Sequence, residues 1–67
     1  MTYGNGELLH EDRHFYDHVE YQVPVQVYCQ GIHRDIGYVE YYSEFFIKVN
    51  NTYYNRKMFT FVSRPGY

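Results

Sequence analysis

The sequence predicts an all-β chain, a small five-stranded and strongly bent antiparallel sheet that closes or nearly closes on itself behind a short N-terminal leader. Three observations predict it. Val19, Tyr21, Val23, Val25, Val27 and Cys29 occupy one parity, while Glu20, Gln22, Gln26 and Gln30 occupy the other, which is the period of a half-buried strand. Asn50-Asn51 interrupts a second alternation as a tight hairpin corner does. Ten tyrosines and five phenylalanines in 67 residues favour a pleated surface, where aromatic and β-branched side chains pack well.

Each element follows in chain order. Thr2 to Gly6 is expected to fray. Leu8, Leu9, Phe15, Tyr16 and Val19 form a helical stripe, yet Phe15 also continues the parity of the valines, so the leader is drawn as a short helix or loop over residues 1–18. The first strand runs from Val19 to Cys29. Pro24 lacks a backbone donor, which requires a strand start, an edge or a bulge there. Gly31-Ile-His-Arg-Asp35 is drawn as a turn. A second strand spans Ile36 to Tyr42, and Ser43-Glu44 breaks it from Phe45-Phe-Ile-Lys-Val49. Asparagine tolerates positive φ, so Asn50-Asn51 can form a two-residue primed turn that places Val49 beside Thr52 and Lys48 across from Tyr53. That register brings the Lys48 ammonium over an aromatic face. Arg56-Lys57 makes the next corner before a last strand, Met58 to Val62, and Ser63-Arg-Pro-Gly-Tyr67 is a tail. The expected organisation is therefore leader 1–18, one domain 19–62 and tail 63–67.

A chain this short buries only about 60% of the surface its unfolded form exposes, so a large catalytic cleft is not expected. A compact aromatic core and oligomerisation are the two usual compensations. The tyrosines exceed what one small core can hide, and surface tyrosines suit an interface. Cys29 is the single cysteine, which excludes an internal disulfide and fits a reducing, cytoplasmic setting. No run approaches the roughly 18 apolar residues of a membrane span. Catalysis is not expected: Cys29 lies on the inward parity, and no phosphate loop or nucleophile elbow occurs.

Net charge is −2, and it is unevenly placed. Eight acids against Arg13 and Arg34 leave −6 over residues 1–44, whereas Lys48, Arg56, Lys57 and Arg64 give +4 over residues 45–67. Such a split can build a positive patch on a near-neutral protein. His10, His14 and His18 recur at intervals of four. On a helix they would lie roughly 6 Å apart per step and could offer ligands to zinc or another transition metal. On a strand the spacing would be about 13 Å, too wide for one ion.

Once the strands are placed, the order Val23-Pro-Val25, Gly31-Ile32, Gly37-Tyr-Val39-Glu40, Phe45-Phe-Ile47-Lys-Val49, Asn51-Thr52 and Ser63-Arg64-Pro65 resembles the layout of the bacterial Sm-like (Hfq-type) RNA chaperones. The resemblance covers residues 22–65 and is a pattern of apolar and corner positions that small SH3-like barrels share. It implies an Sm-like or SH3-like barrel and edge-to-edge ring assembly. The chain departs from the pattern at Ser43, where the family carries an acid, and at Tyr53-Tyr54-Asn55, where the family's basic-histidine motif would fall. The family's RNA-pore chemistry is therefore not carried over.

Together these features indicate a non-catalytic protein-interaction or assembly module that self-associates through strand edges and exposed tyrosines. A protein partner or a homo-oligomer is expected, with no cofactor and no membrane. The alternative is single-stranded nucleic-acid binding, with Tyr53 exposed to stack bases and Lys48, Arg56, Lys57 and Arg64 holding phosphates. Tyr54 belongs to the core in this scheme. A second alternative is metal binding by His10, His14 and His18.

Overall fold

A computed structural model describes residues 2–67. Among them the order is β1 (Leu8–Leu9), α1 (Asp12–Glu20), β2 (Val25–Cys29), β3 (Ile32–Gly37), β4 (Val39–Tyr42), β5 (Phe46–Val49), β6 (Thr52–Asn55) and β7 (Thr60–Ser63). The chain is mostly β and antiparallel, as the alternation predicts. The strands form two sheets, β1-β7-β2-β3 and β4-β5-β6, neither closed on itself, in place of five strands in one. Tyr38 alone separates β3 from β4, so the expected second strand is the bend by which the chain passes from one sheet to the other.

The leader is ordered where fraying is expected. Tyr3 donates from its hydroxyl to Asp17 Oδ2 at 2.7 Å and sets its ring edge-on to His18, centroids 4.5 Å apart. The Gly6 amide donates to the Ser63 carbonyl, and the Ser63 amide donates to that of Glu7. Leu8 and Leu9 then pair with Val62 and Phe61. A two-residue strand has no periodicity of its own, so only its partner strand reveals it.

Helix α1 buries His14, Phe15 and His18, positions one turn apart that share a face. Its C-terminus has the Schellman form: the Val23 amide donates to His18 O and the Gln22 amide to Val19 O, with Gln22 at φ 52°. That reversal ends the helix and places Val19 on it rather than on a strand. The valine parity holds only from Val25, and β2 starts immediately after Pro24. A bulge between Val27 and Tyr28 then shifts the β2–β3 register, which leaves Cys29 half-buried rather than enclosed.

The β2–β3 corner is Gln30-Gly31, both at positive φ. The polar run His33-Arg34-Asp35, expected as a turn, is therefore strand, on a sheet edge, with His33 and Arg34 exposed and Asp35 half-buried. Asn50 and Asn51 have φ of 50° and 63° and join Val49 to Thr52 as expected. Asn50 is held further by bonds from its Nδ2 to Asp35 Oδ1 and Ile36 O. The last strand begins two residues later than predicted, at Thr60, and includes Ser63, which is buried. The core draws on every layer: Leu9, Phe15, Val25, Val27, Val39, Ile47, Val49 and Phe61 are all enclosed. No helix among the described residues is long and apolar enough to cross a membrane.

Candidate interaction surface

The outer face of the β4-β5-β6 sheet carries the largest concentration of exposed rings. Lys48 lies opposite Tyr53 on one side and Tyr41 on the other, and Phe46 shares its parity one step away. Tyr53 is 57% exposed and Tyr41 52%. Their rings meet edge to face at 6.3 Å, and Phe46 meets Tyr53 at 6.4 Å. The Lys48 ammonium lies 5.3 Å from the Tyr53 ring centroid and 4.0 Å from Glu40 Oε1, so its charge is already shared between a π-face and a carboxylate. Sequence reasoning identifies Lys48 and Tyr53. It misses Tyr41 and Phe46, although the parity of Phe46 with Lys48 is a signal that could find it.

Tyr54, on the opposite face of the same strand, is half-buried. Its ring meets Phe59 edge to face at 4.9 Å and its hydroxyl donates to Asp35 Oδ2 at 2.7 Å. Burial raises the Asp35 carboxyl, yet the bonds it accepts from Tyr54, Asn50 and the Ile36 amide outweigh that effect and hold it below its ordinary value.

The other predicted cations are not brought to this face. Arg56 is used internally. Its Nη1 contacts Asp12 Oδ1 and Ser43 O at 2.6 Å each, its Nη2 donates to His10 O at 3.1 Å, and its guanidinium stacks 4.8 Å from the Phe15 ring. Arg64 follows β7 beside the other sheet, where its Nε donates to Gln26 Oε1 at 2.6 Å and its Nη2 to Tyr28 Oη at 3.1 Å. Lys57 is exposed at the turn after β6 and makes no side-chain ion pair among the described residues. It rims a cleft of about 370 Å³ with Glu44, Phe45, Asn55 and Arg56. Among the described residues the cations of the positive half are thus dispersed rather than gathered on this face.

The histidines share neighbouring space without forming a ligand set. His14 Nδ1 accepts from the His10 and Glu11 amides at 3.1 and 3.2 Å, which caps α1. His18 is bonded at both ring nitrogens, Nδ1 to His14 O and Nε2 to Ser63 Oγ, each at 2.7 Å. His10 precedes the helix and packs edge-on against His14 at 5.0 Å. Among the described residues no group of three metal-ligating side chains converges. The spacing of four places His14 at the start of the helix and His18 in the core.

Both sheets have two edges. β1 is two residues long, β3 carries His33, Arg34 and Asp35, and β4 is interrupted by a bulge at Glu40. β6, Thr-Tyr-Tyr-Asn, has no charge, no proline and an unbroken register. Comparison of the chain with protein-family models, with curated proteins and with solved structures finds no match.

Proposed function

We propose that the chain is a non-catalytic interaction and assembly module that adds an extended strand, including one from another copy of itself, along the edge of β6. The observation that carries this reading is the unguarded state of that edge. Folded proteins blunt exposed edges with charge, proline, bulges or brevity. Three of the four edges here use one of these devices, whereas β6 uses none of them and is covered only at its Asn55 end, where the Met58 and Phe59 amides take the carbonyl. Tyr53, Tyr41 and Phe46 lie beside it on the sheet face, and exposed aromatic rings supply contact area at low conformational cost.

The two sheets and the bend at Tyr38 are read as a small, strongly bent barrel of the SH3-like or Sm-like kind. In that reading β7 carries β1 on its outer edge, so a head-to-tail ring has no open strand at β7.

Sedimentation from micromolar to millimolar concentration tests the proposal, with Tyr53→Pro as the comparison. Pairing alternation points the Tyr53 amide away from β5, so proline is tolerated by the fold and removes a donor from the edge. A mass that rises with concentration for the parent and stays monomeric for Tyr53→Pro is expected. A parent chain that stays monomeric throughout while binding single-stranded oligonucleotides in a salt-dependent way would replace this reading with the nucleic-acid one.

A further inference from the structure

The open groups on β6 specify how two copies would meet. In the β5–β6 ladder Val49 pairs with Thr52 and Ile47 with Tyr54, and the Arg56 amide continues the series by donating to Phe45 O at 2.8 Å. Antiparallel pairing alternates inward and outward groups, so Thr52, Tyr54 and Arg56 face β5, while Tyr53 and Asn55 face solvent. Their outward groups are not all available. The Asn55 carbonyl already accepts from the Met58 and Phe59 amides at 3.1 and 3.0 Å. The Asn51 amide donates to the Glu40 carboxylate at 3.2 Å. What remains is the amide and carbonyl of Tyr53, the amide of Asn55 and the carbonyl of Asn51, which accepts no hydrogen bond among the described residues.

We infer that two copies pair β6 to β6 in antiparallel fashion about a two-fold axis at Tyr53. This deepens the proposed function and rests on it. With Tyr53 opposite its own copy, the two residues exchange both backbone bonds. Asn55 then falls opposite Asn51 of the second chain, where the open Asn55 amide meets the open Asn51 carbonyl, twice by symmetry. The second bond of that pair, from the Asn51 amide to the Asn55 carbonyl, does not form, and it leaves neither group unpaired because both are already satisfied within the chain. Moving the axis to Tyr54 would place Tyr53 opposite Asn55, aim the Tyr53 amide at an occupied carbonyl and halve the number of new bonds.

Side chains follow the same symmetry. Directly opposite residues project to one face, so the two Tyr53 rings become neighbours and join the Tyr41–Phe46 clusters into one aromatic surface across six strands. No charge lies on β6 to oppose itself, whereas a two-fold axis brings any edge charge near its own copy. An isologous contact of this kind closes at two copies.

Disulfide trapping tests the register in a Cys29→Ser background under oxidised glutathione. Directly opposite residues in a hydrogen-bonded pair have Cα atoms about 5.5 Å apart, within disulfide reach. Tyr53→Cys should therefore form the covalent dimer at least about tenfold more readily than Asn55→Cys, whose copies stand about 13 Å apart along the strands. A second arm keeps Tyr53 intact: Asn51→Cys mixed with Asn55→Cys should give the mixed dimer, and neither should dimerise alone. Preferential trapping of Asn55→Cys with itself, or no mixed product from a chain that sedimentation shows to be dimeric, would overturn this register and leave self-association standing. A monomeric parent chain would remove both.

Discussion

His18 Nε2 stands 2.7 Å from Ser63 Oγ, and both side chains are fully buried. His18 Nδ1 faces the His14 carbonyl, so that nitrogen carries the proton and Nε2 accepts from the serine hydroxyl. The bond ties the helix to the last strand across 45 residues of sequence.

Ser63→Ala should cost about 1–3 kcal/mol, because it leaves a buried ring nitrogen without a partner. Urea unfolding measures it. A midpoint within error of the parent would show that the pair contributes nothing.

Burial lowers the His18 pKa from its ordinary 6.5, against the opposing pull of the His14 carbonyl. The unfolded chain then takes up the proton first. Stability is complete above 6.5 and falls with pH from there down to the lowered folded value. Unfolding free energies measured from neutral to mildly acidic pH should decline, and His18→Gln should flatten the decline.

Arg56→Lys should destabilise by about 2 kcal/mol, since a lysine cannot serve Asp12, two carbonyls and the Phe15 face together. The Asp12 end is 70% exposed and is screened, so the carbonyl contacts and the stacked ring carry the greater part. Equal midpoints for the two proteins would assign Arg56 to the surface instead.

Gln22→Gly should stabilise by about 0.5–1 kcal/mol. Gln22 occupies the C′ position of the helix at φ 52°, where a side chain is strained and glycine is not, and the relief exceeds the entropy that glycine adds to the unfolded chain. Thermal melting decides the sign.

Tyr54→Phe removes a bond accepted by Asp35. The lowered folded pKa of Asp35 gives stability that is present above its ordinary 3.8 and lost as pH falls through the folded value. The variant should raise the Asp35 pKa toward that ordinary value and cost about 1 kcal/mol near neutrality. An NMR titration of the carboxyl reports both proteins, and unchanged titration curves would separate Asp35 from Tyr54.

Local features are legible in the amino-acid order itself. The Asn50-Asn51 corner is readable because positive φ is a property of two adjacent residues, and once it is placed the register sets Lys48 against Tyr53 without further information. Val25 and Val27 are readable as core because parity is a property of one strand. The stretch that precedes them misleads for the same reason. Val19, Tyr21 and Val23 match a strand's parity, yet Gln22 in the left-handed region turns that stretch into a helix end.

Of the proposed surface, Tyr53 and Lys48 can be named from the sequence, while the standing of β6 among four edges cannot. Which edges carry charge or bulges depends on which strands end up outermost, and that is a property of the assembled sheets. The histidines show the same division: their spacing of four suggests a shared ligand set, but His18 is committed to Ser63 and His14 to the cap of its own helix.

Alternation, turn chemistry and aromatic content settled the β class, the asparagine hairpin and the Lys48–Tyr53 pair, because each depends on residues a few positions apart. Tertiary structure alone decided where the cations went: Arg56 reaches Asp12 across 44 residues and Arg64 reaches Gln26 across 38. A long, flexible, charged side chain is placed by whichever acceptors the fold leaves nearest to it, and no short-range pattern encodes that choice.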